Sequence, residues 1–367
     1  MIALGAHPRI LVVALRRLGD VLLTTPLIRS LKCAWPDAVI DVLVFRGTEG
    51  ILAGNADIAD VVAMPERPGA GESLALLRRL WRRYDLALST QGGDRPTLFA
   101  WGAGRRSVGF VEAAGMAARL KWFALDFPVL VAGGLHRVHD VLRLAEAIGI
   151  APVPEVVAPG GATRPGIAPD RPYALIHAAP MFRYKRWTVD GWQVLAAGLD
   201  ARGLTVLATG GPDDRQYLDE VWAGQPEVQR IDGALAWPEL SELIRCARVY
   251  VGPDTSVTHL AAATGAPTVA LYGPTDPRLW GPWPQGGLDR PWDAAATIQN
   301  RGNVWLVQNP ASCPWSILPC QQEGCERRLD SHSQCLDELP VSEVLSAVDA
   351  ALAAPALAKP GASGAPA

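Results

Sequence analysis

The sequence predicts an α/β protein made of two similar domains, each an open parallel sheet with helices on both faces. Three observations predict it. Short β-rich runs alternate with helical stretches. The alternation stops in a segment rich in Pro, Gly and Ala, and then restarts. The length, 367 residues, suits two domains of ordinary size.

Residues 9–15 read as a parallel-type strand and 16–20 as a tight turn, with a helix following through Thr24, Pro26, Leu27 and Leu31. Further strands are expected at 39–45, 61–64, 86–89 and 107–110, with helices at 73–84, 95–101 and 135–148. Gly149 ends the last helix. Residues 1–155 form the expected N-terminal domain, and 156–172 a linker. The second domain spans 173–353, with strands at 173–177, 204–208 and 229–231 and helices at 189–201, 213–222 and 238–246. Within it, 282–338 lacks periodicity and reads as an irregular, Trp- and Cys-rich segment before a final helix at 341–353. The remainder, 354–367, is low in complexity and expected to be disordered. Two such domains with sheets facing a central cleft suit an enzyme that joins two substrates.

Charge excludes some functions. The formal net charge is −3, but residues 1–150 carry 18 Lys and Arg against 14 Asp and Glu. That mild excess suggests an anionic partner for the first domain, and no polybasic block suggests nucleic acid. No apolar run reaches membrane-spanning length, and no signal-like region opens the chain, so a cytoplasmic protein is expected.

The stretch 249–277 carries most of the chemistry. It reads as strand, helix, strand. Asp254, Thr255 and Ser256 are all N-cap types ahead of a helix that Gly265 closes and Pro267 cannot continue. A capped helix at the carboxyl end of a parallel sheet is where α/β proteins hold phosphates. Thr255 and His259, four apart, share a helix face, and a His among Ala and Leu needs a polar partner. The plainer alternative is an ordinary βαβ unit. A second polar turn, Gly273-Pro-Thr-Asp276, at the same sheet end favours a pocket.

Other strand ends add candidates. Gly19-Asp20 follows the first strand, where Gly allows close approach and Asp20 is either a helix cap or a general base. Arg16 and Arg17 alongside suit an anionic acceptor. Lys185, in the loop after the strand at 173–177, suits a diphosphate as a point charge. Thr209-Gly-Gly-Pro-Asp-Asp214 ends another strand, and Asp213 or Asp214 is a candidate ribose contact or a helix-start acid. No Asp-x-Asp pair, P-loop or dinucleotide fingerprint occurs. Cys33 and Cys246 lie in helical contexts and are expected to be buried. Cys313, Cys320, Cys325 and Cys335 fall in the irregular segment and are candidate ligands of a structural metal, although their spacing matches no familiar pattern.

Three motifs in order resemble glycosyltransferase family 9, the lipopolysaccharide heptosyltransferases. They are Arg16-x-Leu-Gly-Asp-Val-x-x-Thr-x-Pro26, Lys185-x-Trp187, and Val251-Gly-x-Asp-Thr-x-x-x-His259 with Tyr272-Gly-Pro-Thr-Asp-Pro277. Phe182-x-Tyr-Lys-x-Trp187 and Leu279-Trp-Gly-Pro-Trp283 look closest to the heptosyltransferase III branch. The resemblance implies a GT-B fold, an ADP-L-glycero-D-manno-heptose donor, inversion at the sugar carbon and no required metal cofactor. It implies Asp20 as base, Lys185 at the donor phosphates, and Asp254, Thr255 and His259 as donor contacts, with Ser256 where many members have Gly. A lipopolysaccharide-core acceptor is expected on Arg16, Arg17, Arg105 and Arg106, together with peripheral contact with the inner membrane. The alternatives are a nucleotide-sugar epimerase on the same fold and a non-catalytic glycan-binding protein.

Overall fold

The structure, a computed structural model, describes residues 2–314 and 319–355. Trp315 and residues 356–367 of the expected tail lie outside the described residues. The chain divides into two compact units. Unit 1 holds Met1–Pro165 with Leu235–Glu242 and Pro277–Gly287, and unit 2 holds Gly166–Ala234, Leu243–Asp276 and Leu288–Ala367.

In unit 1 the strands β1 (Arg9–Ala14), β2 (Val39–Phe45), β3 (Asp60–Met64), β4 (Tyr84–Ser89), β5 (Gly104–Val111) and β6 (Phe127–Leu130) form one sheet. Its order is β3-β2-β1-β4-β5-β6, and every pairing is parallel. Ile10, Leu11, Val12 and Val13 of β1 are completely buried, as expected of a central strand covered on both faces. The covering helices are α1 (Leu18–Leu22), α2 (Thr25–Ala34), α3 (Ala70–Leu80), α4 (Asp94–Ala103), α5 (Met116–Ala124) and α6 (Arg137–Ala147). The strand order reverses at the β1/β4 pair, and in open α/β sheets such a reversal point is where ligands are generally held.

Several expectations change. Residues 16–20 are not a simple turn, because α1 begins at Leu18. Pro26 cannot donate a backbone bond, so it opens α2 as a separate helix. Helix α5 and strand β6 were not read from the sequence. Much of the 156–172 linker has no regular structure, yet the chain that leads into it is packed. The backbone N–H groups of Val153 and Val157 donate to Ser30 Oγ and Thr25 Oγ1 of α2. Trp283 belongs to unit 1 because its indole donates to the Pro154 carbonyl at 2.8 Å and its ring packs on His136 and His139.

In unit 2, β7 (Tyr173–His177), β8 (Thr205–Thr209), β9 (Val228–Arg230), β10 (Val249–Pro253), β11 (Thr268–Tyr272), β12 (Ile298–Arg301) and β13 (Val304–Gln308) are ordered β12-β13-β11-β10-β7-β8-β9. The described pairings are parallel except β12 with β13. This hairpin lies inside the segment read as irregular. Gly302 turns it at φ +52°, and β13, five residues between Asn303 and Asn309, is too short to show a period. The helices are α7 (Val189–Asp200), α8 (Arg215–Val221), α9 (Trp237–Cys246), α10 (Ser256–Thr264), α11 (Pro277–Trp280), α12 (Gln334–Asp337) and α13 (Val341–Ala353), of which α11 lies in unit 1 and α9 straddles the division. Here the strand order reverses between β7 and β10. Cys33 and Cys246 are exposed, not buried. Leu27, Ile28 and Leu31 form the inward stripe of α2, and Cys33 lies off it.

Gly252 in β10 sets the approach to the polar turn that follows. A Cβ there would lie 2.3 Å from the Tyr250 hydroxyl and 3.1 Å from Thr258 Oγ1, which are themselves 3.0 Å apart in a hydrogen bond. Gly252→Ala is therefore expected to destabilise the protein by about 1–3 kcal/mol through overpacking, read as a lower midpoint in thermal or urea unfolding.

Candidate active site

In unit 2 the reversal point brings two distant residues together. Lys185 lies in the loop after β7, and Asp254 begins the turn after β10. Lys185 Nζ meets Asp254 Oδ2 at 2.5 Å. Asp254 is nearly enclosed, whereas the Lys185 side chain keeps 21% of its surface, so the pair joins a buried carboxylate to a partly exposed lysine. The Tyr272 hydroxyl donates to Asp254 Oδ1 at 3.4 Å, and His259 Nε2 lies 3.8 Å from the same oxygen. Asp254 is thus a charged neighbour of the histidine on this apolar helix. Burial opposes ionisation of Asp254, but Lys185, His259 and Thr275 outweigh it and hold its carboxyl below the usual range.

Thr255 is the N-cap of α10, its hydroxyl accepting from the Thr258 N–H at 3.4 Å. Ser256 opens the helix, and Gly265 closes it in the left-handed conformation at φ +81°. The N-terminus of α10 thus lies beside the Lys185–Asp254 pair, a combination suited to an anion. After β8, Asp214 Oδ2 accepts the Gly211 N–H at 2.8 Å and caps its own loop, while Asp213 is exposed. Trp187 packs under the loop, buried against Trp192.

In unit 1 the reversal point holds Asp20. The cap of α1 is Arg17 and no side chain closes it, so Asp20 is not a helix cap. Gly19 precedes it within the same turn of helix. Asp20 Oδ1 lies 3.6 Å from Arg16 and 3.8 Å from Arg137 Nε. That oxygen is buried and has no hydrogen-bond partner among the described residues. Arg137 is itself buried and donates to the Thr90 carbonyl at 3.0 Å, just past the end of β4. Burial lowers the pKa of Arg137, and Asp20 acts against that shift. Arg137 was missed because it sits in a helix read only as amphipathic. A cation in a helix's first turn opposes the helix dipole, and that was the available signal.

Arg105 and Arg106 do not join this group. They begin β5, at the amino edge of a parallel sheet whose carboxyl edge carries Asp20, and Arg105 lies 3.9 Å from Asp85 there. The four late cysteines are free thiols, and Cys335 is pushed up to about 12 by burial and by its neighbours Cys320, Cys325 and Cys313. No group of three or more His, Cys, Asp or Glu is arranged to hold a metal ion among the described residues, so the metal-ligand expectation for Cys313, Cys320, Cys325 and Cys335 has no support in this geometry.

Two measurements check the unit 2 geometry. Lys185→Met strands a buried carboxylate and should cost about 3 kcal/mol of stability, whereas Lys185→Met with Asp254→Asn should recover most of it. Equal losses in the single and double variants in denaturant unfolding would disprove the pairing. His177, at the end of β7, is enclosed, with Nδ1 3.2 Å from the Thr209 carbonyl oxygen, and burial lowers its pKa. A group with a depressed folded pKa binds fewer protons folded than unfolded, so its contribution is lost as pH falls through the ordinary histidine range. His177→Asn should flatten the decline of the melting midpoint between about pH 7 and pH 5.

Comparison with known proteins follows the same lines. The glycosyltransferase family 9 (heptosyltransferase) model matches residues 73–287, more than half of the chain. Lipopolysaccharide heptosyltransferase 3 of Escherichia coli K12 is 28% identical over 351 residues, covering 90% of this chain and 94% of that protein. The structure of E. coli ADP-heptose lps heptosyltransferase II superposes with a TM-score of 0.72 at 20% identity, covering 94% of this chain and 98% of that one. E. coli heptosyltransferase WaaC with ADP-2-deoxy-2-fluoro heptose gives 0.61 at 23% identity, covering 73% and 90%. The fold is therefore of the GT-B type, and the chain belongs to glycosyltransferase family 9, the heptosyltransferases.

Proposed function

We propose that this protein transfers heptose from ADP-L-glycero-D-manno-heptose to the inner core of lipopolysaccharide, with inversion at the anomeric carbon and without a catalytic metal. The observation that carries the reading is the buried, hydrogen-bond-free Asp20 oxygen at the reversal point of unit 1. Family membership and the heptosyltransferase relatives support the sugar and the acceptor class.

The donor diphosphate binds at the N-terminus of α10, against Thr255 and Ser256, with Lys185 as its cation. Asp254 uses part of the ammonium's hydrogen-bonding capacity and fixes its position, leaving its outer N–H groups for phosphate oxygens. His259 supports Asp254 from behind. Asp213 takes the ribose hydroxyls, because Asp214 is committed to its loop. Arg16 and Arg17 bind the phosphorylated acceptor. The acceptor oxygen forms a bond to the anomeric carbon as the carbon–oxygen bond to the diphosphate breaks. ADP leaves with the electron pair, and Asp20 takes the hydroxyl proton. Lys185 and the helix dipole offset the charge growing on the leaving group, the stabilisation that electrostatic preorganisation supplies. Arg137 positions Asp20 and does not touch substrate.

Incubation of the purified protein with ADP-heptose and core oligosaccharide tests the reading. Heptosylated product, with ADP release that depends on acceptor, is the expected result. Donor conversion without acceptor would instead indicate an epimerase, and binding without turnover a glycan-binding protein. Asp20→Asn should lower turnover by about two to four decades while donor affinity stays at the wild-type level. Wild-type turnover in that variant would remove Asp20 as the base.

A further inference from the structure

Helix α5 of unit 1 turns its apolar side outward. Met116, Leu120 and Phe123 recur at the i, i+4, i+7 spacing of one helix stripe and are 74%, 65% and 87% exposed. The inward positions are Ala118 and Lys121, both buried. This reverses the usual amphipathic arrangement, and a dedicated set of contacts holds it. Lys121 donates to the Gly92 carbonyl and lies 2.9 Å from Asp94 and 3.0 Å from Glu112. Val131, half exposed at the end of β6, would be 3.5 Å from a Cβ on Gly92, so it adjoins the same place.

Position says what covers this face. α5 follows β5 and lies at the carboxyl edge of the sheet, the edge that carries Asp20. The segment after β4 links the two, since Thr90 accepts from Arg137 beside Asp20 and Gly92 accepts from Lys121 on α5. An acceptor carried on a lipid anchor must present its sugar at that edge while its acyl chains stay in a bilayer. Nine residues are far too few to span, but they suffice to lie in the interface. Exposed Arg119 on the same helix suits an anionic headgroup, and Trp122, 48% exposed, suits the headgroup level.

We propose that α5 is a bilayer-docking element that seats Met116, Leu120 and Phe123 in the membrane interface and so brings the Asp20 edge to its lipid-anchored acceptor. This rests on the lipopolysaccharide-core reading for its purpose, and the test separates the two. The full chain is sedimented with vesicles of phosphatidylethanolamine and phosphatidylglycerol that contain no glycolipid. The wild type should sediment with them. Met116→Ser, Leu120→Ser and Phe123→Ser together should weaken that binding at least about tenfold, and Phe123→Ser alone by about threefold or more, with unchanged circular dichroism. Wild type that stays in solution, or that sediments no better than the triple variant, overturns the proposal. So does a dimer that the triple variant abolishes while vesicle binding is unchanged, since the face would then belong to a second copy. In the transfer assay the triple variant should keep its turnover on deacylated, water-soluble core oligosaccharide within about twofold, and lose about tenfold on lipid-anchored acceptor in vesicles. Equal losses on both acceptors would make α5 a structural part of unit 1 and overturn docking. Wild type that binds vesicles through α5 and heptosylates neither acceptor would refute the proposed reaction and support the docking surface.

Discussion

A carboxylate as enclosed as Asp254 stays ionised only beside a cation, and Lys185 is that cation. The two residues are 69 apart in sequence and meet because β7 and β10 are neighbours across the reversal of the sheet. Much of the surrounding detail serves this pair. Gly252 clears space for the Tyr250–Thr258 bond, Thr255 starts α10 at the right residue, and Tyr272 approaches from β11. The two partners differ in exposure, the carboxylate being enclosed and the lysine side chain partly open to solvent. A helix N-terminus beside an ammonium is a setting that favours anions.

Unit 1 uses the same topology for the opposite chemistry. Its reversal point presents a carboxylate flanked by Arg16 and Arg137, where unit 2 presents a cation backed by a carboxylate. Arg137 is over 3.5 Å from Asp20, near enough to stabilise its charge and too far to occupy its lone pair. Another of Arg137's donors is taken by the Thr90 carbonyl.

The fold was legible because central parallel strands such as residues 10–13 are continuous apolar runs, and because Gly265 and Pro267 mark where a helix must stop. The unit 2 cluster was legible because Asp254, Thr255 and His259 lie within six residues across the start of α10, so local spacing fixes their relation. Asp20's partner was not, since Arg137 arrives from a helix 117 residues later, and its place in the first turn of that helix marks an unusual cation without saying which carboxylate it meets. Arg105 and Arg106 show the converse. A pair of arginines resembles an anion site in sequence, but the site is decided by which end of the strand they occupy, and they begin β5. The strands at 298–308 were hidden because a four- and a five-residue strand joined by a tight turn carry too few positions for a period to show.

Helix α5 exposes a deeper limit of periodicity. Apolar residues at helical spacing define a stripe, and the same stripe fits a core and a membrane. The direction it faces is set by the other side of the helix. Lys121 can turn inward because the Gly92 carbonyl, Asp94 and Glu112 replace the water it gives up; burial opposes its charge, and the two carboxylates outweigh burial and raise its pKa. Once that cation is satisfied beneath the helix, geometry leaves Met116, Leu120 and Phe123 nowhere to point but outward. The buried lysine and the exposed apolar stripe are therefore one feature. The polar contacts that fix it reach the same post-β4 segment that restrains Asp20's arginine.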